Sequence, residues 1–353
     1  MKGLILCGGT GSRLRPLTYT GAKQLLPVAN KSILFYALEA LRDAGVSDIG
    51  IIVGETEPEI RRAVRDGSRW GAKLTFIAQQ APLGLAHAVL TAEDFIGEEP
   101  FVMFLGDNLI RDGVAGFVKQ YEESRPNSLI LLSKVKNPQR FGVAELEEGR
   151  VVRLVEKPKE PKSDLALVGV YIFDRHIFTA ARDIKPSWRN ELEITDAIQR
   201  LVETGYTVEP HLVNGWWKDT GKPEDLLEAN RLILEELRGE VKGNVAEDCR
   251  LTGQVRIEVG TRVQGSTIRG PVVIGQNCTI INSYIGPFTS IGHGVTVLNS
   301  ELECSIVMDD INIADVPARI DESLIGRNVR ISGGKTKPLG VRLVLGDNSQ
   351  VEF

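Results

Sequence analysis

The chain has 353 residues, 42% hydrophobic and 25% charged, with a formal net charge of −5: a globular composition with ample apolar material for a buried core. Its lysines and arginines are interspersed with acids and form no basic run, which argues against nucleic acid as a partner. No stretch approaches the roughly 20 uninterrupted apolar residues needed to span a bilayer, and the N-terminus lacks the apolar core and cleavage site of a signal peptide. A cytoplasmic protein without a membrane partner is expected.

The length predicts two or so domains. Lys2 to Cys7 reads as a strand, Ile33 to Asp43 as an amphipathic helix ending before Gly45, Asp48 to Val53 as a strand and Pro58 to Arg65 as a helix. Further strands are predicted at Leu74 to Ala78, Phe101 to Leu105, Leu129 to Ser133 and Val168 to Phe173, with a helix at Leu85 to Phe95. This alternation predicts an α/β fold with an open, mostly parallel sheet, whose ligands sit at the carboxyl ends of the strands.

From about Gly243 the texture changes. In "VVIGQNCTIINSYIGPFTSIGHGVTVLNS" the aliphatics Ile274, Ile280, Ile285, Ile291 and Val297 recur with a period of six and one step of five. An aliphatic followed by Gly recurs at Ile274, Ile285, Ile291 and Ile325. This is the pattern of a parallel β-helix of hexapeptide repeats, each short strand turning its aliphatic inward. A linker is expected near Leu237 to Val245, dividing the chain into domains at residues 1–240 and 241–353. "GGKTKPLG" reads as a loop with a final strand after it.

Cys7, Cys249, Cys278 and Cys304 have no CxxC spacing and read as reduced packing residues rather than a zinc site or disulfide framework. His87, His176, His211 and His293 are scattered without ligand spacing. None is a strong candidate for chemistry.

The glycine cluster after the first strand carries the functional question. A dinucleotide fingerprint needs a third glycine where this chain has Leu14, and a P-loop needs a Gly-Lys-Ser/Thr that is absent. Two readings remain. One is a tight turn with solvated cations; the other is a backbone-donating loop that, with Arg13 and Lys23, grips a triphosphate.

The pattern "GGTGSRLRPLT…KQLLPV" resembles the opening signature of the sugar nucleotidyltransferases, most closely the glucose-1-phosphate thymidylyltransferases. "QQAPLGLAHA", "FLGDN", "FGVAE", "EKPKEPKS", "GVYIFD", "RNELEITDA" and "WWKDTG" follow in the family's order, so the resemblance spans Met1 to about Leu237. It implies a Rossmann-like nucleotidyltransferase sheet and, with the added repeats, a long form ending in a left-handed parallel β-helix. The reaction implied joins a sugar 1-phosphate to a nucleoside triphosphate and releases pyrophosphate. The nucleophile is already an anion, so positioning and charge stabilisation are needed rather than a general base.

By resemblance, Gly8, Gly9, Thr10 and Gly11 contact the nucleotide, with Arg13 and Lys23 on its phosphates. Gln79 pairs with the base and Gly84 supplies backbone contact. Asp107 and Asp219 converge to hold magnesium, although an Asp after a strand and a Gly would otherwise read as a turn residue. Gly142, Glu156, Lys157, Gly169, Tyr171 and Glu191 belong to the sugar site, with Lys157 on the sugar 1-phosphate and Arg189 on sugar or phosphate. Without the motif, Glu156 and Lys157 read as a solvated turn. Trp216 and Trp217 read as packing aromatics that orient Asp219.

The implied substrates are dTTP and glucose 1-phosphate, with UTP or another sugar 1-phosphate as the alternative within the class. A glutamine amide pairs with thymine and uracil alike. A catalytically silent sugar-nucleotide-binding scaffold is disfavoured by the intact set Arg13, Lys23, Asp107 and Asp219. An acyltransferase in the β-helix would need His293, which reads more simply as a turn residue. From architecture alone the β-helix is expected to serve oligomerisation or stability, and a homo-oligomer is expected.

Overall fold

The computed structural model describes residues 1–333 and 346–351. The chain opens with β1 (Lys2–Leu6), β2 (Pro27–Val28), β3 (Lys31–Ser32), α1 (Ile33–Asp43), β4 (Asp48–Val53), α2 (Glu57–Val64) and β5 (Lys73–Ala78). There follow α3 (Leu85–Thr91), α4 (Glu93–Ile96), β6 (Phe101–Leu105), β7 (Asn108–Ile110), α5 (Ala115–Ser124) and β8 (Ser128–Lys134). Then come β9 (Gly142–Glu147), β10 (Arg150–Glu156), β11 (Leu165–Phe173), α6 (His176–Asp183), α7 (Ile194–Glu203), β12 (Val208–Leu212), β13 (Trp217–Asp219) and α8 (Pro223–Glu235). Short strands follow from Glu240 to Ser332.

Two compact units result. The first comprises residues 1–11, 21–25 and 33–219; the second comprises 12–20, 26–32 and 220 onward.

In the first unit, nine strands form one sheet, ordered β10-β9-β11-β6-β1-β4-β5, with β8 on β11 and β12 on β8. β4 (DIGIIV) is buried at five of six positions, as a parallel strand covered on both faces must be. α1 buries Ile33, Leu34, Ala37, Leu38 and Leu41, a single stripe. It stops where Gly45 adopts φ +79°, with Val46 N–H on the Leu41 carbonyl and Gly45 N–H on that of Arg42, both at 2.9 Å; this is a Schellman ending.

β6, β1, β4 and β5 run parallel. β11 is antiparallel to β6, β8 and β9, and β9 to β10. The sheet is therefore mixed, with an antiparallel extension beyond the Rossmann-like half. The expected helix 85–95 is two: the Thr91 hydroxyl turns back to the His87 carbonyl at 2.9 Å, and Ala92 ends α3 and begins α4. Separate apolar cores fill the two faces of the sheet. Among the described residues no helix is long and apolar enough to cross a membrane.

Among the described residues of the second unit, parallel short strands stack into three sheets of six, six and four strands. Ile274, Ile280, Ile285 and Ile291 all point inward, fully buried, and Ile274 pairs with Ile291 one coil on. The steps of six, five and six sum to the 17 residues of that coil, which explains the short step. Gly or Asn recurs because the corners need left-handed backbone, as at Gly260 (φ +78°), Asn277 (φ +57°) and Gly294 (φ +66°). The coil begins inside the stretch expected as a linker, since Glu240 already pairs with Arg256. Apart from Gly333, the "GGKTKPLG" segment and the final strand after it lie outside the described residues.

Candidate active site

β1 lies between β6 and β4, so the two neighbouring loops at its carboxyl end leave the sheet at a switch in strand order, where open α/β sheets bind ligands. One is the glycine loop and the other is Gly106-Asp107; Gly106 N–H reaches the Leu6 carbonyl at 3.0 Å. Gly106 has to lack a side chain, because a Cβ there would lie 2.7 Å from Cys7 Sγ.

Two side chains close on the glycine loop. A Cβ at Gly8 would lie 2.9 Å from Gln79 Oε1, and one at Gly9 would lie 3.2 Å from Lys23 Cε. Gly11 adopts φ +67°. Thr10 is exposed. Arg13 is exposed on the short turn Ser12–Leu14, which belongs to the second unit.

Lys23 opens a 3-10 turn (Lys23–Leu25), and its ammonium donates to the Asp107 carboxylate. The two side chains are only 16% and 12% exposed. Asn108 Nδ2 donates to Asp107 Oδ1 at 3.0 Å, and Trp217 Nε1 donates to Asn108 Oδ1 at 2.6 Å. Trp217 thus does more than pack on Phe141, whose ring centroid is 5.3 Å away: it fixes Asp107 through Asn108. β13 pairs with β7 so that Asp219 stands opposite Asn108, which brings the two aspartates predicted from distant motifs to neighbouring ladder positions.

Burial alone would raise the Asp107 carboxyl, but the Lys23 ammonium and the Asn108 amide outweigh it and hold the group below its ordinary value. The Cys7 thiol beneath is pushed far up by burial and by Asp107, so it supplies no thiolate.

At the other side of the glycine loop, Gln79 Nε2 donates to the Gly84 carbonyl at 3.3 Å and lies 2.9 Å from His87 Nδ1. Gln80 is exposed. Gly84 sits at φ +108°, and a Cβ there would lie 2.4 Å from the Leu192 carbonyl oxygen. Leu192 N–H donates to Leu83 O at 2.8 Å, and Ala86 N–H to Leu192 O at 3.0 Å. The "APLG" and "RNELEIT" loops are therefore stitched together.

The predicted sugar residues gather around Glu156, which faces Gly142 across the β9–β10 ladder. Thr195 Oγ1 donates to Glu156 Oε2 at 2.7 Å, and Lys157 Nζ lies 3.3 Å from Glu156 Oε1. A Cβ at Gly142 would be 2.6 Å from Thr195 Oγ1 and 3.1 Å from Glu156 Oε2. Gly169, at φ +78°, occupies the register shift between Leu167 and Tyr171 in β11. Tyr171 is buried and stacked on Phe173, centroids 5.6 Å apart; burial and the Glu156 charge push its phenol up.

Arg189 is committed to acids: 2.8 Å to Glu193, 3.3 Å to Glu191 and 3.5 Å to Glu156. Its geometry is that of a group organising the carboxylates, where the resemblance implied contact with sugar or phosphate.

Four residues of this neighbourhood were not singled out from the sequence. His87 lies on α3 eight positions after Gln79 and faces its amide. Asn108 sits inside "FLGDN". Glu193 sits inside "RNELEITDA", is 3% exposed and binds Arg189. Gln24 follows Lys23, is buried, and its Oε1 has no hydrogen-bond partner among the described residues. In the β-helix, His293 Nδ1 accepts the Gln276 N–H at 2.9 Å, the contact of a turn residue.

A glycine loop over a paired lysine and aspartate, with a second aspartate beside them, defines a phosphate-handling transferase on a Rossmann-like sheet. The family model described as nucleotidyl transferase matches residues 2–236, and the chain belongs to that family. At finer grain, it is 51% identical to the glucose-1-phosphate thymidylyltransferases of Streptomyces griseus and Streptomyces antibioticus, over 100% of this chain and 99% of each relative. A crystal structure of a candidate glucose-1-phosphate thymidylyltransferase from Bacillus anthracis, in complex with sucrose, superposes with a TM-score of 0.63 at 37% identity, covering 66% of this chain and 94% of that one.

Proposed function

We propose that this chain transfers a deoxythymidylyl group from dTTP to glucose 1-phosphate. The reading is carried by the Lys23–Asp107 pair beside Gly9, and full-length identity to the Streptomyces enzymes supports it. An oxygen of the sugar phosphate attacks the α-phosphorus and forms the new P–O bond. The bond from that phosphorus to the bridging oxygen breaks opposite it, and pyrophosphate leaves with the electron pair. No proton has to be removed from the nucleophile.

Gly8, Gly9, Thr10 and Gly11 offer backbone groups to the nucleotide. Arg13 carries a planar fork suited to the departing pyrophosphate, and Lys23 neutralises charge on the α-phosphate. Gln79, steadied by His87 and the Gly84 carbonyl, pairs with the base. Lys157 meets the sugar 1-phosphate. Glu156 and Glu191 accept from sugar hydroxyls, held apart and partly neutralised by Arg189, while Gly142 and Gly169 leave room and Tyr171 walls the site.

The donor set fits magnesium. Asp107 stays ionised although buried, and Asp219 stands one ladder position away, so the residues that would hold the ion are two hard carboxylates. A bound magnesium would supply charge neutralisation along the phosphates.

The preference for dTTP over UTP rests on the relatives, because an amide does not sense the methyl group that separates the bases. Purified protein with magnesium, dTTP or UTP, and a panel of sugar 1-phosphates is expected to release pyrophosphate fastest with dTTP and glucose 1-phosphate. Failure of that pair while another turns over would overturn the specificity.

A further inference from the structure

Gln79 follows β5 directly, with its N–H on the Val53 carbonyl at 2.9 Å, and its side chain is held by α3 of the same compact unit. Which end of a glutamine amide faces which neighbour is decided by the partner that has no choice of role. Here that partner is the Gly84 carbonyl, which can only accept and lies 3.3 Å from Gln79 Nε2. The carbonyl is itself fixed. It also accepts the Ala88 N–H at 3.2 Å as α3 begins, and Gly84, at φ +108°, has no room for a side chain against Leu192.

The amide nitrogen therefore points to α3, and His87 Nδ1, 2.9 Å from the same nitrogen, has to accept. The His87 ring then carries its proton on Nε2. Both hydrogens of the Gln79 amide are thus spent, one on Gly84 and one on His87. The amide oxygen is turned to the glycine loop, where a Cβ at Gly8 would meet Oε1 at 2.9 Å. A glutamine side chain carries both donors and an acceptor, and this one presents the acceptor. Such an edge discriminates between pyrimidines of equal size. Thymine and uracil carry an N3–H flanked by carbonyls and can donate to Oε1, whereas cytosine has a bare N3 whose lone pair would oppose the amide oxygen.

We propose that His87 is a positioning residue for base selection: by accepting from Gln79 Nε2 it holds the amide oxygen toward the nucleotide, so that a pyrimidine with a protonated N3 is admitted and cytosine is rejected. Without His87, only the Gly84 contact, the longer of the two, opposes a half-turn of the amide that would present its nitrogen instead. The inference rests on the reading of Gln79 as the residue that pairs with the base. Gly8, Gln79, Gly84, His87 and Leu192 all belong to the first unit.

The test uses the full chain with magnesium and glucose 1-phosphate, and reads pyrophosphate release with dTTP and with dCTP as the ratio of the two kcat/KM values. The native protein is expected to favour dTTP. His87→Leu, which removes the acceptor, is expected to lower the ratio about 5-fold to 10-fold, the scale of one hydrogen bond. The loss is expected in KM for dTTP, with KM for glucose 1-phosphate within about twofold of the native value. His87→Asn places an amide oxygen where Nδ1 stood and is expected to restore most of the ratio, which a merely structural role for the ring would not do. Equal use of dTTP and dCTP by the native protein, an unchanged ratio in His87→Leu, or a fall that His87→Asn leaves in place overturns the proposal. Gln79→Leu run alongside separates the two claims: if it keeps the native ratio, the reading of Gln79 fails and the proposal with it; if it loses the ratio while His87→Leu keeps it, only the role of His87 fails.

Discussion

Asp107→Asn is expected to cut kcat by about 10²-fold to 10³-fold or more at saturating magnesium, the range found when one preorganised charge is taken from a transition state. Asparagine keeps the shape and can still meet Asn108, so the loop between β6 and β7 has no steric reason to move. What disappears is the charge. The Lys23 ammonium then faces an amide where it faced a carboxylate, and one of the two carboxylates suited to a divalent cation is gone. Removing one member of a buried ion pair costs about 3–5 kcal/mol in fully desolvated sites, and less here because both side chains keep a little exposure. Turnover followed by pyrophosphate release, with a thermal melt alongside, checks both parts. Near-normal turnover would sink the role given to Asp107.

Lys23→Ala is expected to lower kcat on a similar scale, about 10²-fold to 10³-fold, and it also reverses a pH effect. In the native protein Asp107 is held below its ordinary value. It therefore contributes stability that is fully present above the unfolded value, about pH 4, and lost as pH falls through the lower folded value. Without the ammonium, burial is the dominant influence left and the folded value rises above the unfolded one. The sign then inverts: the variant is expected to lose stability as pH climbs from about 4 towards neutrality. Melting temperatures of both proteins between pH 3 and 7 check this, and parallel curves would contradict it.

The elements most legible in the sequence are those whose environment is uniform. β1, β4 and β6 are unbroken apolar runs because both faces of the parallel strands are covered, and α1 carries one clean stripe and a glycine stop. The β9–β10 and β7–β13 pairs were not legible in the same way. β10 buries only Val151 and Leu154 of its seven residues, with a register shift between Val151 and Arg153 that breaks the alternation, and β13 is three residues long, so their pairing depends on partners far away in sequence. The hexapeptide period was plain, but its step of five made sense only once three unequal sides closed a 17-residue coil.

The site shows the same division. Lys23, Asp107, Asp219, Glu156 and Glu191 stood out through motifs, and the fold supplies what motifs lack: Trp217 acts through Asn108, His87 steadies Gln79, and Glu193 draws Arg189 into the carboxylate cluster. Each is a tertiary contact. The residues that make them lie inside or beside stretches already conspicuous, yet nothing in their local sequence says which neighbour they face.

The proposed transfer is direct, with no bond formed to the protein; the charge on the phosphates is met by the cations Arg13 and Lys23 and by a divalent ion that Asp107 and Asp219 would hold. The most direct measurement is the stereochemistry at the α-phosphorus, using dTTP with a single sulfur-for-oxygen replacement at that phosphorus in one configuration. A single in-line displacement by glucose 1-phosphate gives dTDP-glucose with the configuration inverted. Retention would require two displacements and a covalent enzyme intermediate, and would contradict the account.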